Sequence, residues 1–488
     1  MVQPDKKIAI PTKAWYLSLF GLISIAVYLI LHRGLWEASL NDLDSLSHYN
    51  ISRYSWRHTH LFFNSWGKPF FTLVSSPFSQ LGYIGIQFYN ILACLVTSYC
   101  AGMILGQSHK KWAWLAIVLT GMQTVMLNVA VTGLTEPTFA MVLSLGIGLI
   151  VTNRNISGAI ILSFLPYCRT EGFYILAIIF IWLLFTNKWK YILFLAFGTL
   201  VYSLAAKLLI GNNNWLIGEY GAPLESYNPY GHGKWDHFIG NLYRTNGIIN
   251  VVLIIPGLIF WTLKLTKRFK FSNLLNSFSI CLSIILLFYT IHTISWATGT
   301  HGSAGMIRVM ASVAPMFGVC TSFGIIYVWR LFNTSKRRLL VITIYYALLF
   351  IYISSLFLLP VKLRHLYLDK NIKLYLVDNS YNNTLKYMGK GEYVYYSHPY
   401  VTYLAGIDPF APYNTNIQAY RHKINEIKPN CLVFWDNQFG DLHNDVGDSL
   451  FSRNPMFKLL DQQLDSNTRL MIRGVDVPFQ SKVYLKKY

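Results

Sequence analysis

Long apolar runs, separated by short polar segments, occupy most of the first 360 residues of the chain. A helix needs about 20 apolar residues to cross the roughly 30 Å hydrocarbon core of a bilayer. Charged residues make up only 13% of the chain, whereas a soluble domain carries about 25%. The pattern therefore predicts an all-α polytopic membrane protein. About eleven transmembrane helices are expected, near residues 15–32, 81–105, 112–131, 137–152, 156–168, 172–186, 190–211, 248–263, 274–294, 309–330 and 339–360.

The Lys and Arg residues predict the orientation of these helices. If the N-terminus is cytoplasmic and the runs alternate, the cytoplasmic loops contain 16 of the 25 basic residues before position 361. Short cytoplasmic loops of membrane proteins are enriched in Lys and Arg, so this orientation is favoured. Three longer segments then lie on the outer face: 33–80, 212–247 and 295–308. We expect a multi-pass protein of the cell (inner) membrane.

The net charge of +20 at first suggests a nucleic-acid partner. Most of the excess lies in short loops between apolar runs, where Lys and Arg act as topology signals. We therefore expect membrane lipids, and no nucleic acid, among the partners.

The composition changes after Pro360. Residues 361–488 contain 16 basic and 12 acidic residues and no run long enough to span a membrane. Short β-rich stretches such as 431–436 alternate with polar helical ones such as 417–427. The chain is thus expected to divide into a transmembrane domain, 1–360, and a small α/β domain that is extracytoplasmic when the number of spans is odd.

Two acids, Asp42 and Asp44, follow the first apolar run by about ten residues, in the first outer segment. A carboxylate at the membrane surface can act as the general base that an acceptor hydroxyl needs, because the hydroxyl has a very high pKa. The simpler alternative is that Asn41-Asp42 caps a short helix beginning near Leu43. The spacing alone favours the cap.

Glu136 and the pair Arg169 and Glu171 lie in brief polar turns between apolar runs. Glu136 precedes Pro137, and both residues suit the first turn of a helix. An Arg this close to lipid needs a partner, either an acid or a phosphate. An Arg–Glu pair that locks two helices together and a phosphate site remain open.

Further cations fall in the outer segments: Arg308, His301, Lys68 and His232. Arg308 could extend to lipid headgroups or bind the phosphate of a lipid-linked donor. Lys68, His232 and the nearby Lys234, each taken singly, are better explained as solvated side chains. All these acids and cations nevertheless share one face, whereas a transporter places its ionisable residues near the bilayer centre, often in two related halves.

Short motifs along the chain resemble those of the GT-C superfamily, the integral-membrane glycosyltransferases that take a sugar from a polyprenyl-phosphate donor. The matches run from the first span through Pro315, and two depart from the family pattern, with Thr170 in place of Pro and Val309 in place of Tyr. In chain order they are Asp42-Leu43-Asp44 followed by Ser45-Leu46-Ser47-His48-Tyr49, Trp66-Gly67-Lys68-Pro69-Phe70, Thr135-Glu136-Pro137, Arg169-Thr170-Glu171-Gly172, and Arg308 with Pro315.

The resemblance implies a hexosyltransferase, mannosyltransferase-like, that moves a sugar from a polyprenyl-phosphate-linked donor to an acceptor hydroxyl with inversion. Asp44, with Asp42 as a second candidate, would be the base. The remaining expected site residues are Arg308, Arg169, Lys68 and His301 for the donor phosphate, and Glu136, Glu171, His48 and His232 in supporting roles.

The acceptor could be a glycan, a lipid or a protein. No cofactor is expected, and a divalent metal is not supported by any ligand set in the sequence. Two other classes stay open: a polysaccharide polymerase or ligase of lipid-linked glycans, in which the Asp pair would be dispensable, and a transporter or flippase of lipid-linked sugars.

Overall fold

The computed structural model describes most of the chain and separates it into two compact units. The first unit comprises residues 1–33 and 59–360, and the second comprises residues 34–58 and 361–488. The described residues are 43–221, 231–267, 277–300, 303–333, 372–387, 393–411, 415–472 and 475–487, with six isolated positions between 16 and 27.

Helices make up the described part of the first unit. Four of its helical segments are long and apolar enough to cross a membrane: Tyr83–Gly121, Trp189–Ile210, Ser277–Thr298 and Ile307–Leu331. The helices are α2 (Pro69–Ser79), α3 (Tyr83–His109), α4 (Ala113–Gly121), α5 (Thr124–Ala130), α6 (Glu136–Val151), α7 (Asn155–Leu162), α8 (Leu165–Cys168), α9 (Gly172–Phe185), α10 (Phe197–Ile210), α11 (Trp215–Tyr220), α12 (His237–Gly240), α13 (Leu242–Asn246), α14 (Ile248–Lys267), α15 (Ser277–Thr298) and α16 (Ala314–Asn333).

The apolar helices confirm a polytopic membrane protein, whereas the count of eleven spans stays a prediction. Four further apolar helices have 10 to 17 residues. The expected first and last spans, 15–32 and 339–360, fall almost entirely outside the described residues. The span expected at 81–105 corresponds to α3, and the span expected at 112–131 corresponds to α4 and α5. A 3-10 turn at Lys110–Trp112 connects α3 to α4, and these two helices pack against each other.

Close helix packing in this unit depends on small residues. Helices α14 and α16 pack along their length, and a Cβ at Gly324 would lie 1.9 Å from the carbonyl oxygen of Leu253. Gly257 on α14 lies at the same contact, because a Cβ there would lie 3.1 Å from the Gly324 amide nitrogen. Lipid offers no hydrophobic force between helices, so small residues that let backbones approach are the expected interface residues.

The second unit contains one four-stranded sheet of order β1-β2-β4-β3. Strand β1 pairs parallel with β2, and the other two pairings are antiparallel. Its elements are α1 (Leu43–Tyr54), α17 (Ile372–Thr384), β1 (Val394–Tyr396), α18 (Tyr400–Leu404), β2 (Leu432–Asp436), a π-helix (Asn437–His443), α19 (Ser449–Ser452), β3 (Phe457–Ile472) and β4 (Val475–Lys486).

Strand β2 forms the centre of this unit because it is buried on both faces. Val433 and Trp435 pack with Tyr484 on one side, while Leu432 and Phe434 belong to a separate apolar cluster on the other. The expected small α/β fold is therefore present. The helix expected at 417–427 is two 3-10 turns, Ile417–Tyr420 and Ile424–Glu426.

Helix α1 joins residues of the first expected outer segment to this second unit. Nδ2 of Asn50 donates to Oγ1 of Thr402 at 3.1 Å, and the Tyr54 hydroxyl donates to the carbonyl oxygen of Ile407 at 3.1 Å. Nε2 of His58 lies 3.0 Å from Oδ2 of Asp408. Residues 34–58 thus group with the residues after 361, and the domain boundary at 360 stays a prediction.

Candidate active site

Arg169 lies in a tight turn between α8 and α9 in the first unit. Pro166 occupies the start of α8, where its missing N–H leaves no hydrogen bond unmade. Gly172 begins α9, and a Cβ there would lie 2.3 Å from the Leu165 carbonyl carbon. Only glycine allows the two helices to approach this closely, which fixes the backbone that carries the Arg169 side chain.

The guanidinium of Arg169 contacts two carboxylates. Its Nη1 lies 2.9 Å from Oε1 of Glu136, and its Nη2 lies 2.8 Å from Oε1 of Glu171. Nη1 also donates to Oγ1 of Thr135 at 3.4 Å. Arg169 therefore connects the turn before α9 to the first turn of α6.

His292 on α15 completes this cluster, which we call the Arg169 cluster: Glu136, Arg169, Glu171 and His292. Nε2 of His292 lies 3.3 Å from Oε1 of Glu171, and both side chains are largely buried. The cluster thus brings together two carboxyl groups, one guanidinium and one imidazole.

Glu171 stays ionised in this setting. It lies in the turn outside both neighbouring apolar helices. Burial alone would raise the pKa of its carboxyl, but Arg169 and His292 outweigh that effect and hold the pKa well below its usual range.

Glu136 is the most buried acid of the cluster, with 2% of its side chain exposed. It begins α6 and is followed by Pro137, as the sequence predicts. Its Oε2 has no hydrogen-bond partner among the described residues. A buried carboxylate oxygen without a donor is costly, so it marks a place for a water or a ligand hydroxyl.

Aromatic rings surround His292. The Phe288 ring centroid lies 4.6 Å from that of His292, and Phe238 on α12 lies 5.9 Å away. Phe139, on the helix that Glu136 begins, packs against Phe288. These rings limit water access and strengthen the charge interactions of the cluster.

Arg308 is half-buried in a 3-10 helix, Ile307–Val313. This helix packs against α5, α6 and α15, two of which carry residues of the Arg169 cluster. The segment before it is fixed by His237, whose Nε2 lies 2.7 Å from the Gly305 carbonyl oxygen. The neighbouring candidate His301 lies outside the described residues.

Lys68 has an unusual backbone conformation. Its φ of 59° lies in the left-handed region, and Pro69 begins α2 directly after it. Non-glycine residues in this region store strain, which is concentrated at functional sites. Helix α2 packs against α8, the helix before Arg169, partly through the stacked rings of Phe70 and Phe164 at 4.8 Å.

In the second unit, Asp44 lies in the first turn of α1 and is half-buried. His48 follows one turn later on the same helix face and is 6% exposed. Asp42, the other member of the expected pair, lies outside the described residues. Helix α1 begins at Leu43, where the capping interpretation of Asn41-Asp42 places it.

His232, expected in a supporting role, is exposed. Its neighbour Gly233 donates its amide hydrogen to the carbonyl oxygen of Trp296 at 3.0 Å, which connects the segments 212–247 and 295–308 that are expected on the outer face. Among the described residues, no three His, Cys, Asp or Glu side chains are grouped to hold a metal ion.

The structure thus brings Glu136, Arg169 and Glu171 together, and the sequence did not identify His292 as their fourth member. A histidine inside an apolar run is the signal that could have found it, because ionisable residues in membrane helices are costly and functional. The Arg–Glu pair that was one of two alternatives for Arg169 is present. The catalytic and binding roles of all candidates stay predictions.

Comparison with known proteins identifies the fold. No protein-family model matches the chain, and no curated protein matches it. A solved structure, that of ArnT from Cupriavidus metallidurans bound to undecaprenyl phosphate, matches with a TM-score of 0.57 over 97% of this chain and 98% of that one, at 10% identity. The fold that the motif resemblance implies is confirmed: the chain is similar in structure to ArnT over nearly its whole length.

Proposed function

We propose that this protein is a membrane glycosyltransferase that moves a sugar from a polyprenyl-phosphate-linked donor to an acceptor hydroxyl with inversion. The observation that carries the proposal is the ArnT-like fold over nearly the whole chain, since the ArnT structure holds undecaprenyl phosphate. Motif residues of the resemblance meet at the Arg169 cluster, which adds support from the chain itself.

In the proposed reaction, the acceptor oxygen attacks the anomeric carbon while its proton passes to the Asp44 carboxylate. The bond between the anomeric carbon and the phosphate oxygen breaks, and the electron pair leaves with the polyprenyl phosphate. Asp44 suits the role of base because it is half-buried and held in the first turn of an ordered helix.

The leaving group gains negative charge, so fixed cations lower the barrier. Arg308 and Lys68 are the proposed phosphate ligands in the described part of the chain, and His301 is a further candidate. Arg169 already contacts two carboxylates, so we assign it the role of orienting Glu136 and Glu171 and of moderating their charge. Oε2 of Glu136 can accept a hydrogen bond from a sugar hydroxyl.

The sugar is proposed to be a hexose of the mannose type, and the acceptor a glycan, lipid or protein. The reaction is proposed to occur on the extracytoplasmic face of the cell (inner) membrane, the orientation favoured by the basic loops. No metal or organic cofactor is part of the proposed mechanism.

The test uses the full chain in nanodiscs with a panel of radiolabelled polyprenyl-phosphate sugars. Release of free polyprenyl phosphate and labelling of the acceptor are measured for the wild type and Asp44→Asn. The matched control is Glu426→Gln, which removes an exposed carboxylate of the second unit whose Oε2 lies 3.2 Å from Nζ of Lys423.

We expect release by the wild type and the control, with a loss of at least about 100-fold in Asp44→Asn. Normal release by a folded Asp44→Asn variant would remove Asp44 as the base and favour a polymerase or ligase. Passage of donor across the bilayer without any new glycosidic bond would instead favour a transporter or flippase.

A further inference from the structure

A cavity of about 400 Å³ lies in the first unit. None of its lining residues belongs to the Arg169 cluster. The cavity is lined by the ends of α3, α6 and α9, the segment after α9, the middle of α14, the start of α15 and the second half of α16. Its volume is within the roughly 300–1,000 Å³ of small-molecule sites.

Three cationic or titratable side chains line this cavity: His109, Lys188 and Arg330. Nη2 of Arg330 lies 3.0 Å from Nε2 of His109, and Nζ of Lys188 donates to the carbonyl oxygen of Ile150 at 2.9 Å. An ammonium has three donors and a guanidinium has five, so these bonds leave donors for an anion. No acidic side chain occurs among the described lining residues.

The rest of the cavity wall is aromatic and apolar, with Trp182, Trp261 and Phe278 among its residues. Trp261 uses its indole nitrogen to donate to Oγ of Ser279 at 2.9 Å, so its ring is held in place. A small soluble anion would contact the cations but would make no apolar contacts with this wall. A ligand with both an anionic group and a hydrocarbon chain matches both parts of the cavity.

The position of the cavity along the membrane helices also favours an anionic lipid. The helices that form it adjoin the loops that the sequence predicts around Lys110-Lys111, Lys188 with Lys190, and Lys264 through Lys270. The structure places the first part of the last of these, through Lys267, in the final turn of α14. These are the loops that the positive-inside rule places in the cytoplasm. Anionic phospholipids concentrate in that leaflet, and basic pockets between transmembrane helices on that side bind their headgroups.

We propose that this cavity is a binding site for an anionic glycerophospholipid of the cytoplasmic leaflet. Lys188 and Arg330 bind the phosphate, and an acyl chain packs against Trp182, Trp261 and Phe278. The proposal does not depend on the sugar-transfer reaction, because none of these residues has a role in it.

Native mass spectrometry of the full chain, purified in detergent, tests the proposal. Phosphatidylglycerol and phosphatidylcholine with matched acyl chains are added in equal amounts, and the ratio of retained lipids is measured. The test variant is Lys188→Gln with Arg330→Gln. The matched control is Lys110→Gln with Lys190→Gln, which removes two exposed cations from the same loops but none from the cavity wall.

We expect the wild type and the control to retain phosphatidylglycerol selectively, and the test variant to lose this selectivity by about fivefold for each cation removed. Lys188→Arg with Arg330→Lys keeps both charges and should keep the selectivity, which excludes misfolding as the cause. Ser277→Trp fills the cavity while keeping the cations, and should lower retention of both lipids.

Equal retention of the two lipids by the wild type would overturn the proposal, since the headgroup would then not be recognised. An equal loss in the test and control variants would also overturn it, because the attraction would belong to the whole basic surface. Retention that survives Ser277→Trp would show that the lipid binds outside the cavity.

Discussion

Nη1 of Arg169 lies 2.9 Å from Oε1 of Glu136, and the Glu136 side chain is 2% exposed. The two residues are far apart in the sequence and belong to different helical turns. Because Glu136 is so deeply buried, its charge is tolerated only while Arg169 remains beside it. The same contact connects the start of α6 to the turn before α9.

Replacing Arg169 by Met should therefore destabilise the protein by about 3–5 kcal/mol, because Glu136 would be left buried without a partner. Adding Glu136→Gln to Arg169→Met removes the uncompensated charge and should restore a large part of that loss. Unfolding of the purified protein in a mixed-micelle denaturation series measures both changes. If the single variant unfolds like the wild type but no longer transfers sugar, Arg169 binds substrate rather than holding the helices.

The contact between α14 and α16 gives a second prediction. Gly324→Ala places a Cβ 1.9 Å from the Leu253 carbonyl oxygen, so the helices must separate, at a cost of about 1–3 kcal/mol. Gly218→Ala on α11 is the matched control, because a Cβ there meets nothing within 4 Å. The control should be neutral or slightly stabilising, since alanine favours the helix. Equal melting temperatures for both variants would contradict the tight interface.

Much of this architecture is predictable from the sequence because it depends on local patterns. Apolar runs predict the helices of the first unit, and the composition after Pro360 predicts the small α/β fold. The turn chemistry of Glu136-Pro137 predicts the start of α6, which the structure confirms.

Contacts between distant residues could not be predicted in the same way. Asn50 contacts Thr402 across 352 positions, and nothing in the local pattern of residues 34–58 indicates that they group with the C-terminal residues. His292 was missed because its role depends on Glu171, which lies in the distant turn before α9. Strand β3 was missed as a long strand because its residues are largely polar and partly exposed.

The attachment of α1 gives a third prediction, which rests on Asp44 acting as the base. Thr402→Val leaves Nδ2 of the buried Asn50 without its acceptor, which costs about 1–3 kcal/mol. The attachment of α1 would loosen, so we expect a lower rate of sugar transfer with little change in donor binding. Hydrogen exchange of the α1 backbone amides, measured by mass spectrometry, should become faster as the transfer rate falls.

Thr468→Val serves as the control for this change, because it removes a threonine hydroxyl from β3 that bonds to Asp465 rather than to α1. Its amide exchange in α1 should match the wild type. Faster α1 exchange with unchanged transfer would show that Asp44 does not depend on the attachment.

The pH dependence of the second unit gives the last prediction, from two buried groups at the carboxyl ends of β1 and β2. Burial raises the pKa of Asp436 to about 6, although Ser397 and two backbone amides donate to its carboxyl. Burial also lowers the pKa of His398 to about 3, with Lys373 acting in the same direction. Burial therefore shifts the pKa values of these two groups in opposite directions.

Folded Asp436 keeps a proton between about pH 4 and pH 6 that the unfolded chain has released, so its contribution to stability falls as pH rises through that window. Below about pH 6.5 His398 binds a proton in the unfolded chain, whereas in the folded protein it binds one only near pH 3. The contribution of His398 to the free energy of unfolding therefore falls as pH drops. Between pH 4 and pH 6 the two effects largely offset each other in the wild type.

Each variant removes one titrating group and leaves the pH dependence of the other. Relative to the wild type, Asp436→Asn should gain stability as pH rises from 4 to 6, by roughly 3 kcal/mol in total. His398→Asn should gain stability relative to the wild type as pH falls from 6.5 towards 4.5, by a similar amount. The measurement is the opening free energy of the β2 amides from hydrogen exchange, corrected for the intrinsic effect of pH on the exchange rate.

His443 also titrates near this site, because burial lowers its pKa while Asp436 raises it and Lys373 lowers it. It is present in the wild type and in both variants, so differences between them remove most of its contribution. Gln418→Ala, which changes a side chain that does not titrate at an exposed position of the same unit, should show no pH-dependent difference from the wild type. If the Asp436→Asn and His398→Asn differences are also independent of pH, the two groups are not held in their buried, uncharged forms, and water reaches the carboxyl ends of β1 and β2.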